Sequence, residues 1–232
     1  MTDFKVELRN IGMKYQTVEG ETEAIRDVSF SVSEGEFVSV VGPSGCGKST
    51  ILNILSGLEK PTAGQVALNG RMGYMLQKDH LFEWRTILKN CLLGPEVQGL
   101  DMERALENVT RLLKTYGLES FMHHYPNQLS GGMRQRAALI RTLAVNPDIL
   151  LLDEAFSALD YQTRLAVVDE VWTILKKERK TAIIVTHDIA EAISMSDRII
   201  VFSRRPAVIK NIYDIVLAQP GASPLENRKD EK

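Results

Sequence analysis

The chain has 232 residues and is 44% hydrophobic, enough for one substantial core with a smaller attached lobe. Its 28 Lys and Arg against 30 Asp and Glu exclude a basic field that would draw it onto nucleic acid or anionic lipid. Apolar runs such as 149–152 fall well short of the roughly 18 residues needed to span a bilayer, and the first residues, MTDFKVELRN, show no secretory signal. We therefore expect a cytosolic chain in which Cys46 and Cys91 are both reduced.

Strand-like segments open the chain at residues 4–8, 24–32 and 65–69, and glycine-containing turns join them without a helix. We predict an antiparallel sheet there. Further along, β-branched strand runs alternate with helical periodicity: strand 37–41 and a helix from Lys48, strand 149–152 and helix 162–177, strand 182–185 and a helix from Ile189. That alternation is typical of an α/β fold with a parallel sheet.

Between residues 78 and 129 the strand signals vanish, and apolar side chains recur at helical spacing: Ala105, Leu106, Val109, Leu112, Leu113 and Tyr116. We predict a helical subdomain, about 78–145, inserted into a single domain that covers residues 1–216. Residues 217–232 are polar, with two Pro and a Gly, and are predicted to form a flexible tail.

Residues 42–49, GPSGCGKS, fit the pattern G-x-x-x-x-G-K-[ST] between a predicted strand and a predicted helix. Glycines let backbone N–H groups converge, and the helix N-terminus adds partial positive charge, so this segment predicts a phosphate-binding loop. Its expected nucleotide-binding residues are Gly42, Pro43, Ser44, Gly45, Cys46, Gly47, Lys48, Ser49 and Thr50. Lys48 would reach the β- and γ-phosphates, Ser49 would hold Mg²⁺, and Thr50 would cradle the α-phosphate. The alternative is a glycine-rich turn that only caps a helix.

A second anion site is predicted at residues 129–136, LSGGMRQR, where Ser130 and two glycines begin a helix. Here the chain resembles the ABC ATPase family, whose signature has this Leu-Ser-Gly-Gly core followed by a basic helix. The resemblance implies an ATP-hydrolysing transporter subunit with a P-loop NTPase fold: a RecA-like parallel sheet, an antiparallel β subdomain and an inserted helical subdomain. It also implies a homodimer in which Ser130, Gly131 and Gly132 contact the ATP held by the loop of the other copy. For Ser-Gly-Gly alone, an ordinary capped helix is the alternative.

The family's acidic motif matches residues 149–154, ILLLDE. The resemblance implies that Asp153 holds Mg²⁺ and that Glu154 orients and polarises the attacking water. It makes His187 a switch histidine that donates to the γ-phosphate or to that water, so that Glu154, His187 and Lys48 are the expected catalytic residues. A solvated acidic turn and a structural histidine are the alternatives.

Three further positions match family motifs. Gln77 follows a predicted strand at 74–76 and would touch both nucleotide and Mg²⁺, and Asp160 lies in a segment expected at the dimer interface. Tyr15 would stack on adenine, with an ordinary half-buried tyrosine as the alternative. Two departures from the family pattern are Met133, where Gln is commonest, and Ala155, where Pro often stands.

Residues 77–90, QKDHLFEWRTILKN, resemble the nitrate, sulfonate and taurine importer ATPases, and 156–164 do so too. Importers of thiamine-precursor pyrimidines and of riboflavin share this style, so the resemblance indicates a branch rather than a solute. It implies ATP and Mg²⁺ as cofactors and a peripheral position on the cytoplasmic membrane face. It also implies transmembrane permease partners and, indirectly, an extracytoplasmic solute-binding protein. Trp84 is expected either in the core of the helical lobe or at a partner contact.

Two other functions stay open. An exporter-type ABC ATPase would carry the same motifs. A non-transport ABC protein acting on ribosomes or DNA usually has two cassettes or long coiled coils, and neither fits in 232 residues. We expect no nucleic-acid partner.

Overall fold

The computed structural model describes residues 4–18, 20–157 and 159–216, and the tail predicted at 217–232 lies outside them. The described residues form nine β-strands and seven α-helices, with the following bounds. They are β1 Phe4–Thr17, β2 Gly20–Ser33, β3 Phe37–Val41, α1 Lys48–Leu55, β4 Ala63–Leu68, β5 Met72–Met75, α2 Ile87–Cys91, α3 Leu93–Val97, α4 Met102–Thr115, α5 Gly131–Leu143, β6 Ile149–Asp153, α6 Tyr161–Lys177, β7 Thr181–Val185, α7 Ile189–Met195, β8 Arg198–Phe202 and β9 Ile209–Asp214.

Two sheets organise the described residues. A three-stranded sheet has the order β2-β1-β4 with antiparallel pairs, and a six-stranded sheet has the order β5-β6-β7-β3-β8-β9. In the second sheet only the β8–β9 pair is antiparallel. This confirms the predicted α/β fold with a parallel core and an N-terminal antiparallel sheet. The strands β1 and β2 are longer than predicted, because their pairing continues beyond several register shifts as far as Thr17 and Gly20.

Every residue of β3, β6 and β7 is buried, which explains why these strands read as unbroken apolar runs. Their side chains alternate between two cores. In β6, Leu150 and Leu152 pack with residues of α5 and α6, whereas Ile149 and Leu151 pack with residues of α1 and of the antiparallel sheet. The parallel sheet is therefore covered on both faces.

Helices α2 to α5 lie between residues 87 and 143, within the predicted helical insertion. In α4 the buried side chains are Ala105, Val109, Leu112 and Leu113, while Leu106 is 44% exposed on the other face. Helix α5 contacts α2 and α4 as well as α6 and β5, so it joins the helical segment to the core. Within the described ranges, no helix combines the length and the apolarity needed to cross a membrane.

No strand is predicted from the sequence after residue 189, so β8 and β9 are additions. β8 pairs in parallel with β3, and β9 closes the sheet edge with mostly exposed side chains. The run RIIVF of β8 has the residue types of a strand but is not among the predicted strands, whereas β9 has a polar outer surface that lacks a clear alternation.

Candidate active site

The carboxyl ends of five neighbouring strands meet at one edge of the parallel sheet. In sheet order they lead to Gln77 after β5, Glu154 after β6, His187 after β7, the glycine-rich loop after β3, and Arg205 after β8. Ligands of open α/β sheets bind at this edge. Four of these five positions were predicted from the sequence, and Arg205 was not.

The loop 42–47 reverses the chain between β3 and α1 through two glycines with positive φ, 70° at Gly45 and 125° at Gly47. Gly47 precedes α1 and offers no side-chain cap, so the first N–H groups of the helix stay available. A cavity of about 190 Å³ opens over them, lined by Ser44, Gly45, Gly47, Lys48, Ser49, Thr50, Glu154 and Arg205. Backbone donors and two cations make this cavity suited to an anion.

Lys48 is only 6% exposed, and its ammonium donates to the carbonyl oxygens of Gly42 at 2.9 Å and Pro43 at 3.1 Å. These two hydrogen bonds hold the ammonium group against the loop, where a bound phosphate could replace the carbonyl oxygens as its acceptor. The Cys46 side chain is buried, and its Sγ would lie 3.1 Å from a Cβ placed on Gly42. Cys46 therefore packs beneath the loop and does not line the cavity.

Asp153 ends β6 and is 8% exposed. Burial raises the pKa of its carboxyl, while hydrogen bonds from the hydroxyls of Ser49 and Tyr74 act in the opposite direction. The Tyr74 hydroxyl lies 3.4 Å from Asp153 Oδ2 and 3.2 Å from Asn53 Oδ1. Sequence reasoning did not single out Tyr74, whose only signal is its place in the strand before Gln77.

The donor set fits magnesium. Ser49 and Asp153 are in hydrogen-bond contact and present a hydroxyl and a carboxylate, and the Gln77 amide lies at the same edge. Mg²⁺ prefers oxygen ligands, and it is bound through one or two carboxylates together with substrate phosphates and waters. A small protein donor set beside a phosphate-binding loop meets that requirement.

One carboxylate oxygen of Glu154 lies close to two other predicted site residues, Gln77 and the catalytic candidate His187. Gln77 Nε2 donates to Glu154 Oε2 at 3.1 Å, and His187 Nδ1 lies 3.4 Å from the same oxygen. Glu154 has a φ of 44°, and its N–H donates to the Val185 carbonyl at 2.8 Å. Positive φ is uncommon for a non-glycine residue, and Glu154 is the predicted site residue that adopts it. The structure thus brings Gln77, Glu154 and His187 together.

Tyr15 lies on β1 beside α1. Its hydroxyl is 3.4 Å from Thr50 Oγ1 and donates to the Glu59 carboxylate. Asn53 Nδ2 donates to the other Glu59 oxygen at 2.9 Å, and the same amide accepts from Tyr74 through its Oδ1. A polar chain thus runs from Tyr15 under the loop helix to Asp153. The adenine-stacking role of Tyr15 stays a prediction.

The segment Ser130–Gly132 lies apart from the loop cavity. Ser130 caps α5, its Oγ accepting from the Met133 N–H at 3.4 Å, and Gly131 lines another cavity of about 340 Å³ with Gln77, Lys78, Asp79, His80, Arg134 and Gln135. No described residue lines both cavities. Within one chain, therefore, the two predicted phosphate-contacting segments do not face a common space.

Asp160 precedes α6 and caps it, its carboxylate accepting from the Thr163 N–H at 3.1 Å. Hydrogen bonds from Thr163 lower the pKa of this exposed carboxyl. The structure thus gives Asp160 a local capping role, and its expected interface role stays a prediction.

Trp84 is 74% exposed and stacks on Phe82 with ring centroids 4.8 Å apart. Its exposure rules out the alternative of a core residue in the helical lobe.

A larger cavity, of about 720 Å³, lies at the opposite edge of the sheet, between α4 and the residues that precede β5 and β7. It contains none of the predicted site residues. Because ligand sites of parallel sheets lie at the carboxyl ends of the strands, we place the active site at the smaller cavity.

The chain is similar to a known family and to several named relatives. The family model described as ABC transporter matches residues 25–157. The uncharacterized ABC transporter ATP-binding protein YtlC of Bacillus subtilis is 46% identical over 224 residues, which cover 93% of this chain and 86% of that protein. The taurine import ATP-binding protein TauB of Jannaschia sp. is 40% identical over 223 residues, covering 92% and 83%.

Among solved structures, a dimeric structure of the ATP-binding cassette MJ0796 in a post-hydrolysis state, bound to ADP and Pi, is similar with a TM-score of 0.80. It is 33% identical and covers 91% of this chain and 99% of its own. A second dimeric structure of the same cassette gives the same values.

Proposed function

Because this chain belongs to the ABC transporter family, as an ATP-binding and ATP-hydrolysing subunit, we propose that it powers the import of a small solute by closing around ATP as a homodimer. The observation that carries the proposal is the separation of Ser130–Gly132 from the loop cavity. Two copies facing each other would join each loop to the other copy's segment, completing two equal sites. The dimeric cassette with ADP and Pi supports this arrangement.

In each site the loop N–H groups and Lys48 would bind the phosphates, and Thr50 would support the α-phosphate. Mg²⁺, held by Ser49, Asp153, Gln77 and the phosphates, would neutralise charge on the transferred phosphoryl group. Glu154 would orient the attacking water and accept its proton. Gln77 and His187, which share a Glu154 oxygen, would hold that carboxylate in place.

Across the dimer, Ser130, Gly131 and Gly132 would donate to the phosphates from the start of α5, and Asp160 would lie along the contact. Tyr15 would support the adenine. Loss of the γ-phosphate removes its contacts to both copies, so hydrolysis would reopen the dimer.

The permease contact is proposed at residues 78–95, which include Trp84, 74% exposed and stacked on the partly buried Phe82. Exposed aromatic side chains are enriched at protein interfaces. Asp79 pairs with Arg134 of α5 at 3.1 Å, and Arg141 of the same helix donates to the carbonyls of Asp79 and His80. This segment is thereby fixed to the helix that begins with the second phosphate-contacting segment. The chain would act on the cytoplasmic face of the membrane.

Import is favoured over export by the relatives named as taurine import proteins. The solute class we propose includes nitrate-, sulfonate- and taurine-like anions and thiamine-precursor- or riboflavin-like compounds. Solute choice would belong to the permease and to an extracytoplasmic solute-binding protein.

Copurification tests this proposal. We expect the tagged chain to recover a polytopic membrane protein, whose complex hydrolyses ATP faster when the solute-binding protein and its ligand are added. Recovery with a permease that moves substrate outward would select the exporter alternative, and recovery with ribosomes would overturn transport. Lys48→Ala should abolish nucleotide binding while the fold, followed by circular dichroism, stays intact.

A further inference from the structure

Arg205 belongs to the wall of the phosphate-loop cavity, although no motif of the sequence analysis includes it. It lies in the connection between β8 and β9, at the carboxyl end of the strand that neighbours β3. Its Nε donates to the carbonyl oxygen of Gly45 at 3.1 Å. The guanidinium therefore stands at the turn of the loop, within the same space as Lys48 and Ser49.

The connection that carries Arg205 is firmly held. The Ala207 N–H donates to the Ala24 carbonyl and the Arg26 N–H donates to the Ala207 carbonyl, both at 2.9 Å. Ser203 spans the turn, with its N–H bonded to the Val208 carbonyl and its hydroxyl accepting from the Val208 N–H, both at 3.0 Å. These contacts fix the backbone on either side of Arg205.

The connection also packs directly on the loop. A Cβ placed on Gly47 would lie 3.4 Å from the Ala207 Cβ and 3.1 Å from the Ala24 carbonyl oxygen. The φ of 125° and the tight approach of the Ala24 carbonyl favour glycine at position 47, where the connection packs against the phosphate-binding turn. Arg205 is consequently positioned by the same packing that shapes the loop.

The Arg205 guanidinium has N–H groups without a hydrogen-bond acceptor among the described residues. Arg205 makes one hydrogen bond, through Nε, and no carboxylate in the described ranges forms an ion pair with it. An arginine fork with free N–H groups matches the geometry of phosphate oxygens. Its neighbour Arg204 is also exposed but does not line the cavity.

We propose that Arg205 is a further nucleotide-binding residue, whose guanidinium contacts the polyphosphate on the side nearer Tyr15. This inference rests on the proposed function, because it requires that the cavity binds a nucleotide. The two cations of the site would contact different parts of the nucleotide, Lys48 on the side of Asp153 and Arg205 on the side of Tyr15. Burial, and then the hydrogen bond to Glu59, raise the pKa of the Tyr15 hydroxyl, and the charge of Arg205 opposes that shift. Lys48 is the cation that favours the charged form of Asp153.

Binding of ATP and of ADP to the full chain tests the role of Arg205, with Arg204→Gln as the matched control. We expect Arg205→Gln to weaken both nucleotides about tenfold, since a charge-assisted hydrogen bond to an exposed site is lost. Arg205→Lys should lose less, because it keeps the charge without the fork. The difference in nucleotide affinity between the wild type and Arg205→Gln should become smaller at high salt. Arg204→Gln should bind both nucleotides as the wild type does.

The melting temperature without nucleotide separates this role from loop packing alone. It should be unchanged in Arg205→Gln, and a decrease that Arg205→Lys restores fully would assign Arg205 to loop packing and overturn the proposal. An equal loss in Arg204→Gln, or a loss confined to ATP, would also overturn it. If the wild type binds ATP and Lys48→Ala does not, while Arg205→Gln binds normally, this inference alone fails. If the wild type binds no nucleotide, the proposed function fails with it.

Discussion

Mixing two inactive variants should restore ATP hydrolysis if each site combines residues of two copies. Lys48→Ala damages the loop half of a site, and Gly131→Asp damages the other half. A heterodimer of the two variants then contains one site with both defects and one site with neither. In a site built within one chain, by contrast, each copy would keep its own defect.

Gly131 suits this experiment because a side chain there has room. No heavy atom lies within 4 Å of a Cβ placed on Gly131, whereas a Cβ on Gly132 would lie 2.8 Å from Thr163 Cγ2. An acidic residue in the first turn of α5 also agrees with the helix dipole, so Gly131→Asp should fold as well as the wild type. Its damage should be confined to the contact with the partner's nucleotide.

The size of that damage follows from Coulomb's law. A carboxylate about 4 Å from a phosphate charge, at an effective dielectric constant near 20, costs about 4 kcal/mol. Since about 1.4 kcal/mol is a factor of ten, closure around ATP becomes roughly a thousandfold less favourable. Gly131→Asp homodimers should therefore be inactive at ordinary ATP concentrations.

The assay is the steady-state ATPase rate of equimolar mixtures with differently tagged copies. Random pairing makes about half of the dimers mixed, each with one sound site of two, so about a quarter of the wild-type rate should return if the sites act independently. If hydrolysis in one site depends on the other site, a smaller fraction of the wild-type rate should return. Lys48→Ala mixed with Ser49→Ala is the control that should restore nothing, because both defects lie in the same loop. Mixed dimers recovered through both tags but without activity would refute the composite site.

Glu154→Gln should keep ATP binding and lower turnover by about 10² to 10⁴, the usual contribution of a general base, while accumulating an ATP-bound dimer on size exclusion; turnover like the wild type would contradict the water-orienting role. Tyr74→Phe removes the hydroxyl beside Asp153 and with it a hydrogen bond that contributes about 1 kcal/mol, so half-maximal ATPase activity should need about fivefold more Mg²⁺. An unchanged Mg²⁺ requirement would show that the Tyr74 hydroxyl does not support metal binding by Asp153. Trp84→Ala should reduce recovery of the permease without changing the melting temperature, and full recovery would move the proposed contact elsewhere.

Much of the site could be predicted because its parts are local. The loop 42–50 is one contiguous motif flanked by its strand and helix. Gln77, Asp153 and His187 each follow or end a strand, and parallel strands end at a common edge. Convergence of these residues therefore follows from the strand assignments alone.

Arg205 and Tyr74 could not be found in this way. Arg205 lies three residues after β8 in a turn that matches no motif, and its position depends on the packing of Ala207 against Gly47, which are 160 positions apart. The Tyr74 hydroxyl contacts Asn53 of α1 and Asp153 of β6, which are 21 and 79 positions away in the chain. Side-chain networks of this kind arise from tertiary packing, which hydrophobic periodicity does not encode.

Helix α5 connects the two phosphate-contacting segments of one chain, although these segments face different cavities. Its first residues form the segment that would contact the partner's nucleotide, and Gln135, one turn further, donates to the carbonyl of Ala155, next to Glu154. Arg134 and Arg141 fix the residues that follow Gln77, whose amide bonds Glu154. Glu154 is therefore linked to α5 in two ways, through the Ala155 carbonyl and through Gln77, so a shift of its carboxylate on loss of the γ-phosphate would be transmitted to α5. On the proposed function, the nucleotide in one site would bias the start of α5, and hence the partner's site, through these contacts.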